Sequence, residues 1–137
     1  MPKGTTYDND LQLFTFNNTS VAAVGTTLYC ALHTGDPAGA GNQTSLECTY
    51  GNYDRVGVAR TSGGWTVAGA VTNNTAEILF PTCNSGSDTI THFSIGVNPG
   101  KTVSSKILYS GALSSPLAVS LNIAPRFIPS AVTVTEA

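Results

Sequence analysis

Thr27-Leu28-Tyr29-Cys30-Ala31-Leu32-His33 sends alternate side chains to two faces and stops at Thr34-Gly35-Asp36-Pro37. Alternation at period two marks a strand, and a Gly/Asp/Pro cluster marks the turn that ends one. The same unit recurs to the C-terminus. Residues 56–60 read as a strand, 62–64 as a turn, and 65–68 as the returning arm of a hairpin. Residues 75–80 read as a further strand closed by Pro81, and residues 89–97 alternate cleanly up to the turn Asn98-Pro99-Gly100. The runs 106–113, 117–121, 123–128 and 132–135 complete eight or nine strands. A polar, glycine-rich loop over residues 34–48 is long enough to be a candidate functional loop.

Residues 7–16 are the single helix candidate. Asp8 is placed to cap it, and Leu11 and Phe14 share a face at i, i+3. Leu11, Leu13 and Phe16 also fit other periods, so a short helix and an extended arm both stay open. No βαβ rhythm is present, which excludes a parallel doubly wound fold. The expectation is an all-β protein, an antiparallel β-sandwich over residues 26–137 behind an N-terminal arm of residues 1–25. Parity within each run predicts burial of Leu28, Cys30, Leu32, Val56, Val58, Ile78, Phe80, Phe93, Ile95, Leu108 and Ile123.

The 137 residues fit one domain, large enough to fold without disulfide or metal support. Charged residues make up 10%, far below the usual ~25%, and Thr, Ser, Asn and Gly take their place. Such a surface costs little to desolvate and suits packing against other subunits. Net charge is −2 with no basic run, so nucleic acid is not an expected partner. The charge is uneven: residues 1–54 set Lys3 against Asp8, Asp10, Asp36, Glu47 and Asp54, whereas the remainder is net basic. Met1-Pro2-Lys3-Gly4 is not followed by an apolar stretch of signal-peptide type, and nothing approaches the ~20 apolar residues of a membrane span. The expected protein is cytoplasmically made, with no membrane partner. Cys30, Cys48 and Cys83 form no C-x-x-C pair and suggest three reduced thiols.

Several motifs touch on chemistry without completing it. Gly96-Val97-Asn98-Pro99-Gly100-Lys101-Thr102 is one residue short of a phosphate loop and is followed by a strand pattern instead of a helix. His92, Ser94 and Asp88 lie along one strand, where neighbours cannot converge as a catalytic triad does. Asp36, Glu47 and Asp54 sit on loops but lack a calcium-loop spacing. Trp65, Tyr53 and Tyr50 are the aromatic set available for a sugar platform, with core or interface packing the simpler use of a hairpin Trp. The sequons at Asn17, Asn42 and Asn73 have no consequence without secretion. The reading is therefore no enzyme, no cofactor and no metal.

The ordered set Leu28-Tyr29-x-Ala31-Leu32-His33-Thr34-x-Asp36-Pro37, Tyr53-x-Arg55-Val56, Phe80-Pro81, Thr91-His92-Phe93-x-Ile95-Gly96, Leu108-Tyr109-Ser110-Gly111-Ala112-Leu113 and Ala131-x-Thr133-Val134-Thr135 resembles a family of small tailed-phage virion proteins. Its members are called tail fibre proteins or capsid cement (decoration) proteins. The resemblance spans about residues 26–136 and implies a jelly-roll-like sandwich on the exterior of the phage head, bound to the major capsid protein. The alternative it leaves open is a tail fibre or tail-tip adaptor that binds a receptor. Long fibres usually carry repeats or heptads, and this chain has neither. Residues 1–25 fall outside the resemblance and carry Tyr7, Leu11, Leu13, Phe14 and Phe16, which makes those five the expected partner contacts. Few charges guard the sheet edges, so a homodimer through one edge is the expected assembly.

Overall fold

A computed structural model describes residues 2–21, 24–37 and 41–136. It contains one helix, α1 (Thr5–Asn17), and nine strands: β1 (Thr27–His33), β2 (Val56–Ala59), β3 (Trp65–Ala68), β4 (Val71–Asn74), β5 (Ile78–Leu79), β6 (Asp88–Gly96), β7 (Ile107–Val119), β8 (Arg126–Phe127) and β9 (Thr133–Thr135). The main sheet runs β2-β1-β6-β7, a second runs β3-β4-β9, and β5 pairs with β8. Every pairing is antiparallel. The expected all-β sandwich with a short N-terminal helix is the fold.

The core lies between the sheets. Cys30 and Leu32 from β1, Ile90, Phe93 and Ile95 from β6, Ile78 and Phe80 near β5, and Val132 and Val134 near β9 are all buried there. Phe127 is stacked between Phe80 and Phe93, with ring centroids at 6.2 and 5.3 Å. These are edge and tilted contacts of the kind aromatic quadrupoles favour. Leu28, Val56 and Val58 are only half-buried, because β2 is an edge strand and Leu28 borders a cleft.

Four details of the sequence reading are corrected. The hairpin expected between 56–60 and 65–68 does not form: β2 pairs with β1, and β3 pairs with β4. A turn in which Gly64 and Trp65 donate to the Thr61 carbonyl carries the chain across to the second sheet. The real hairpin closes at Gly69, whose φ of +63° suits glycine, with Ala68 opposite Val71. Second, the runs 106–113 and 117–121 are one strand, β7. A register shift opposite Ile90 and His92 absorbs the extra residues around Pro116. Third, the run 123–128 shrinks to Arg126–Phe127. Asn122 turns the chain with a φ of +70°, Pro125 supplies no N–H, and Ile123 ends up exposed instead of buried. Fourth, Asp8 is not the helix cap. Gly4 holds that position, and Asp8 lies in the first turn, where its charge favours the positive helix end.

The second half of β1 is buried on both faces. Cys30 and Leu32 face the core, while Ala31 and His33 face a covering loop, residues 41–48. Within the loop Gln43 is fully buried. Its backbone donates to the Ser105 carbonyl at 2.8 Å, its amide donates to the Asn98 carbonyl at 3.3 Å, and its side-chain oxygen accepts from Asn98 N–H at 3.0 Å. Gly96 of β6 lies directly beneath it; a Cβ there would come within 2.3 Å of Gln43 Cδ. The polar loop is thus an ordered outer layer of the main sheet.

The N-terminal arm is tied to the sandwich. Gly4 N–H donates to the Leu108 carbonyl at 2.8 Å and Ser110 N–H donates to the Pro2 carbonyl at 3.0 Å, so residues 2–4 continue the main sheet beyond β7. The side chains of Lys106 and Asp10 then pin α1 to the start of β7.

Candidate functional site

Each motif with a hint of chemistry has a structural occupation. Lys101 donates to the Tyr53 carbonyl at 2.9 Å, and the turn from Gly96 leads through residues 101–106 into β7 with no helix after the lysine. Its backbone therefore cannot cradle phosphate as the complete motif does. Ser94 does not meet His92. It is fully buried and lies 2.8 Å from His33 Nε2, while His33 Nδ1 lies 2.7 Å from the Ser45 carbonyl. A ring whose two nitrogens both have partners is oriented, and burial pushes its pKa below the ordinary histidine value. His92 Nδ1 is 2.9 Å from the Thr91 hydroxyl. Asp88 accepts from the backbone N–H groups of Thr49 and Tyr50, both at 2.7 Å. The three members of the imagined triad thus serve three separate places.

The loop carboxylates also diverge. Asp54 accepts from the Arg55 N–H, whereas Glu47 takes a bidentate fork from the Arg55 guanidinium and the Tyr53 hydroxyl at 2.7 Å. Asp36 is exposed at the far end of the loop. Among the described residues no three His, Cys, Asp or Glu side chains gather as a metal site would require. Tyr50 and Tyr53 stack edge-on at 5.4 Å, and both are buried, so they form core instead of a sugar platform. Burial raises both phenol pKa values. Trp65 is buried in the same core cluster and also borders a cleft.

The surface features that remain are an arm and two clefts, one beside Trp65 and a larger one of about 700 Å³ lined by Pro2, Phe93, Leu113, Leu117, Arg126 and Phe127 among others. Of the five expected contact residues, Tyr7 is half-buried and packs edge-on against Tyr109 at 5.6 Å. Leu11 and Leu13 are half-buried. Phe14 and Phe16 stand out at 59% and 77% exposure, in the last turn of α1. That turn ends in a left-handed Asn18, whose N–H donates to the Leu13 carbonyl, and it carries no basic residue. The Asn17 carbonyl accepts from the Thr19 hydroxyl at 3.4 Å, and no basic residue in the turn offsets the negative end of the helix dipole.

The Trp65 cleft, of about 550 Å³, opens between the two larger sheets. Leu28, Ile95 and Tyr109 form one wall, Trp65, Val67 and Val134 the other. Arg60 and Glu136 border it. Glu136 is already held by Lys3 at 2.6 Å and by the Tyr109 hydroxyl, and these bonds lower its pKa. Burial, seconded by the Glu136 contact, raises that of Tyr109. Trp65 is 8% exposed, and its indole N–H is the one buried side-chain polar atom without a partner among the described residues. Sequence reasoning named Trp65 but not the cleft, because the walls come from strands far apart in the chain. The cue that was available is Val67, an apolar residue two positions on from Trp65 and 69% exposed.

A family model described as Podophage GP4 fiber I protein gp80 matches residues 4–135. The match begins at Gly4 and so takes in α1 as well as the sandwich. No curated protein matches the chain. Among the described residues no helix is long and apolar enough to cross a membrane.

Proposed function

The chain belongs to the Podophage GP4 fiber I protein gp80 family, and from that premise we propose that it is a non-catalytic structural module of a tailed-phage fibre, working in several copies. The observation that carries this reading is the extent of the family match, which runs from the arm to the last strand. The geometry supports it. The motifs suggestive of chemistry are occupied by internal bonding, while large apolar side chains stand exposed on α1 (Phe14, Phe16), beside the cleft (Val67) and on the loops and strand ends at Leu46, Leu79, Leu121 and Ile128. Apolar side chains presented on an otherwise charge-poor surface are contact points between proteins. Individually modest contacts add up through copy number.

A head-bound cement or decoration protein, seated on the major capsid protein, is the second reading. The compact sandwich favours it, since an elongated shaft would need repeats or heptads that this chain lacks. Virions carrying an epitope tag at residue 62, on the exposed turn between β2 and β3, separate the two. Gold label at the tail end supports the fibre module. Label spread over the head faces replaces it with the cement reading.

A further inference from the structure

We propose that His33 is an acid-sensitive latch on the covering loop: when the ring takes a second proton, the turn of residues 44–46 lifts off the main sheet while Gln43 and Glu47 hold the loop's two ends.

The ring joins two layers. His33 is fully buried at the end of β1, between Ser94 of β6 and the Ser45 carbonyl of the loop. A carbonyl only accepts, so the 2.7 Å contact places the neutral ring's proton on Nδ1. Nε2 is then the bare nitrogen, and the Ser94 hydroxyl at 2.8 Å donates to it. A second proton has only Nε2 to go to. It turns that acceptor into a donor, and the buried Ser94 hydroxyl loses the acceptor it has. His92, directly opposite His33 in the β1–β6 ladder, and Arg55, from the segment before β2, both oppose a positive charge on the ring. Glu47 of the loop favours that charge, but the Arg55 fork and the Tyr53 hydroxyl already take its carboxylate. Lifting the turn lets water reach the ring, so the lifted form accepts the proton more readily and acid shifts the population toward it.

The turn that the ring holds is strained. Leu46 adopts a φ of +53° at the third place of a turn closed by the Glu47 N–H on the Thr44 carbonyl at 3.3 Å, a place usually given to glycine or asparagine. A bulky residue in that conformation stores energy that lifting returns. Its side chain is 58% exposed, so it does little to hold the turn down. The ends are fastened without the ring. Gln43 bonds Ser105 and Asn98 on one side, and on the other Glu47 holds Arg55 while the Cys48 N–H donates to the Leu32 carbonyl at 2.9 Å. Between them the Leu46 carbonyl accepts from the Thr34 N–H at 2.8 Å. Lifting therefore breaks the Thr34 bond, spares those of Gln43 and Cys48, and uncovers His33 and Ser94. Acid changes the face that this side of the sandwich presents.

Purified full-length protein carries the test. Long-range proton–nitrogen NMR at neutral pH reads the tautomer of His33 and should find its proton on Nδ1. Residue-resolved amide hydrogen exchange is then followed from about pH 8 to about pH 5, the range in which histidine changes charge. Corrected for the intrinsic pH dependence of exchange, protection of the Thr34 amide should fall about tenfold or more relative to Gln43 and Cys48 as His33 protonates. His33→Gln, which keeps a neutral donor and acceptor at that place, should hold Thr34 level with the two reference amides across the whole range. A proton on Nε2 at neutral pH overturns the proposal. So does a Thr34 amide that keeps its protection in acid, or one that loses it together with Gln43 and Cys48, since the loop or the fold then opens as a whole. A selective loss at Thr34 that persists in His33→Gln overturns it as well. All but the last of these outcomes are read on the native sequence, so a poorly folding variant leaves the question decided.

Discussion

Arg55 holds Glu47 with two parallel bonds, Nε to Oε2 at 2.8 Å and Nη2 to Oε1 at 2.7 Å, and the two side chains are 0% and 6% exposed. The guanidinium also donates to the Asn98 carbonyl at 3.0 Å and the Val103 carbonyl at 3.3 Å. The Tyr53 hydroxyl bridges Glu47 and the Leu32 N–H of β1. One buried ion pair thus fastens the covering loop, the approach to β2 and the 98–103 turn to the main sheet. Glu47→Ala strands a buried cation and should cost about 3–5 kcal/mol, seen as a lower urea midpoint. Glu47→Leu combined with Arg55→Met should recover part of that loss, because no charge is left unpaired. Equal destabilisation in the single and double variants would show that the backbone carbonyls, and not the carboxylate, are Arg55's essential partners.

His33 makes stability depend on acid. Its folded-state pKa lies below the ordinary 6.5 because burial disfavours the charged ring, with Arg55 and His92 adding to that and the Ser45 carbonyl and Glu47 opposing it. Below 6.5 the unfolded chain takes up a proton that the folded chain does not. Stability is therefore full above 6.5 and falls as pH drops toward the depressed folded value. Glu136, also depressed, adds its own loss only below its ordinary 4.5. Urea midpoints measured through the range below 6.5 should decline for the native sequence and flatten for His33→Gln. A decline of the same slope in His33→Gln assigns the acid sensitivity to other groups.

The three thiols should be inert in the folded protein and free once it unfolds. Cys30, Cys48 and Cys83 are unpaired and buried. Burial pushes the Cys30 thiol up to about 12 and the Cys48 thiol higher still, with Asp88 and Glu47 contributing to the latter. The thiolate is the reactive form, so its scarcity adds to poor access. Cys83 donates its S–H to the Ser85 carbonyl at 3.2 Å. Alkylation without denaturant should proceed slowly, and a count in denaturant without reductant should return three. A count of one would reveal a disulfide that the folded chain does not hold.

The sequence made the two central strands of the main sheet legible, whereas β4, central in the second sheet, was missed in favour of a strand at 75–80. β6 and β1 alternate over seven or more residues, and the structure keeps them within a residue of the reading. The failures sit where a partner, and not a period, decides. Residues 56–60 and 65–68 look like a hairpin because the glycine turn between them is a good local signal, yet each strand finds a better surface on a different sheet. Ile123 has the right parity but follows Asn122 and precedes Pro125, which leave it no ladder to join. The Glu47–Arg55 fork was invisible for a different reason. Eight residues apart on irregular backbone, the two share no periodic relation that spacing could report. The cleft was likewise unreadable, since Leu28, Trp65, Ile95 and Val134 meet only through sheet packing.

Gly4 is the hinge on which the arm depends. It is buried, and a Cβ added there would lie 1.9 Å from the Ile107 carbonyl oxygen, a backbone atom of β7 that cannot step aside as a flexible side chain would. The close approach is what lets Gly4 N–H reach the Leu108 carbonyl and start α1 against β7. Gly4→Ala should therefore cost about 1–3 kcal/mol by overpacking. It should also release residues 2–17 from the sheet while the sandwich stays folded. Limited proteolysis would then cut within α1 faster than in the native sequence, and the Tyr7–Tyr109 contact would be lost. Gly25→Ala is the control, because nothing lies within 4 Å of a Cβ at that position. If Gly4→Ala matches the control in both midpoint and cleavage rate, the arm is held by the Lys106–Asp10 pair and its rings, and the strand-like pairing of residues 2–4 contributes little.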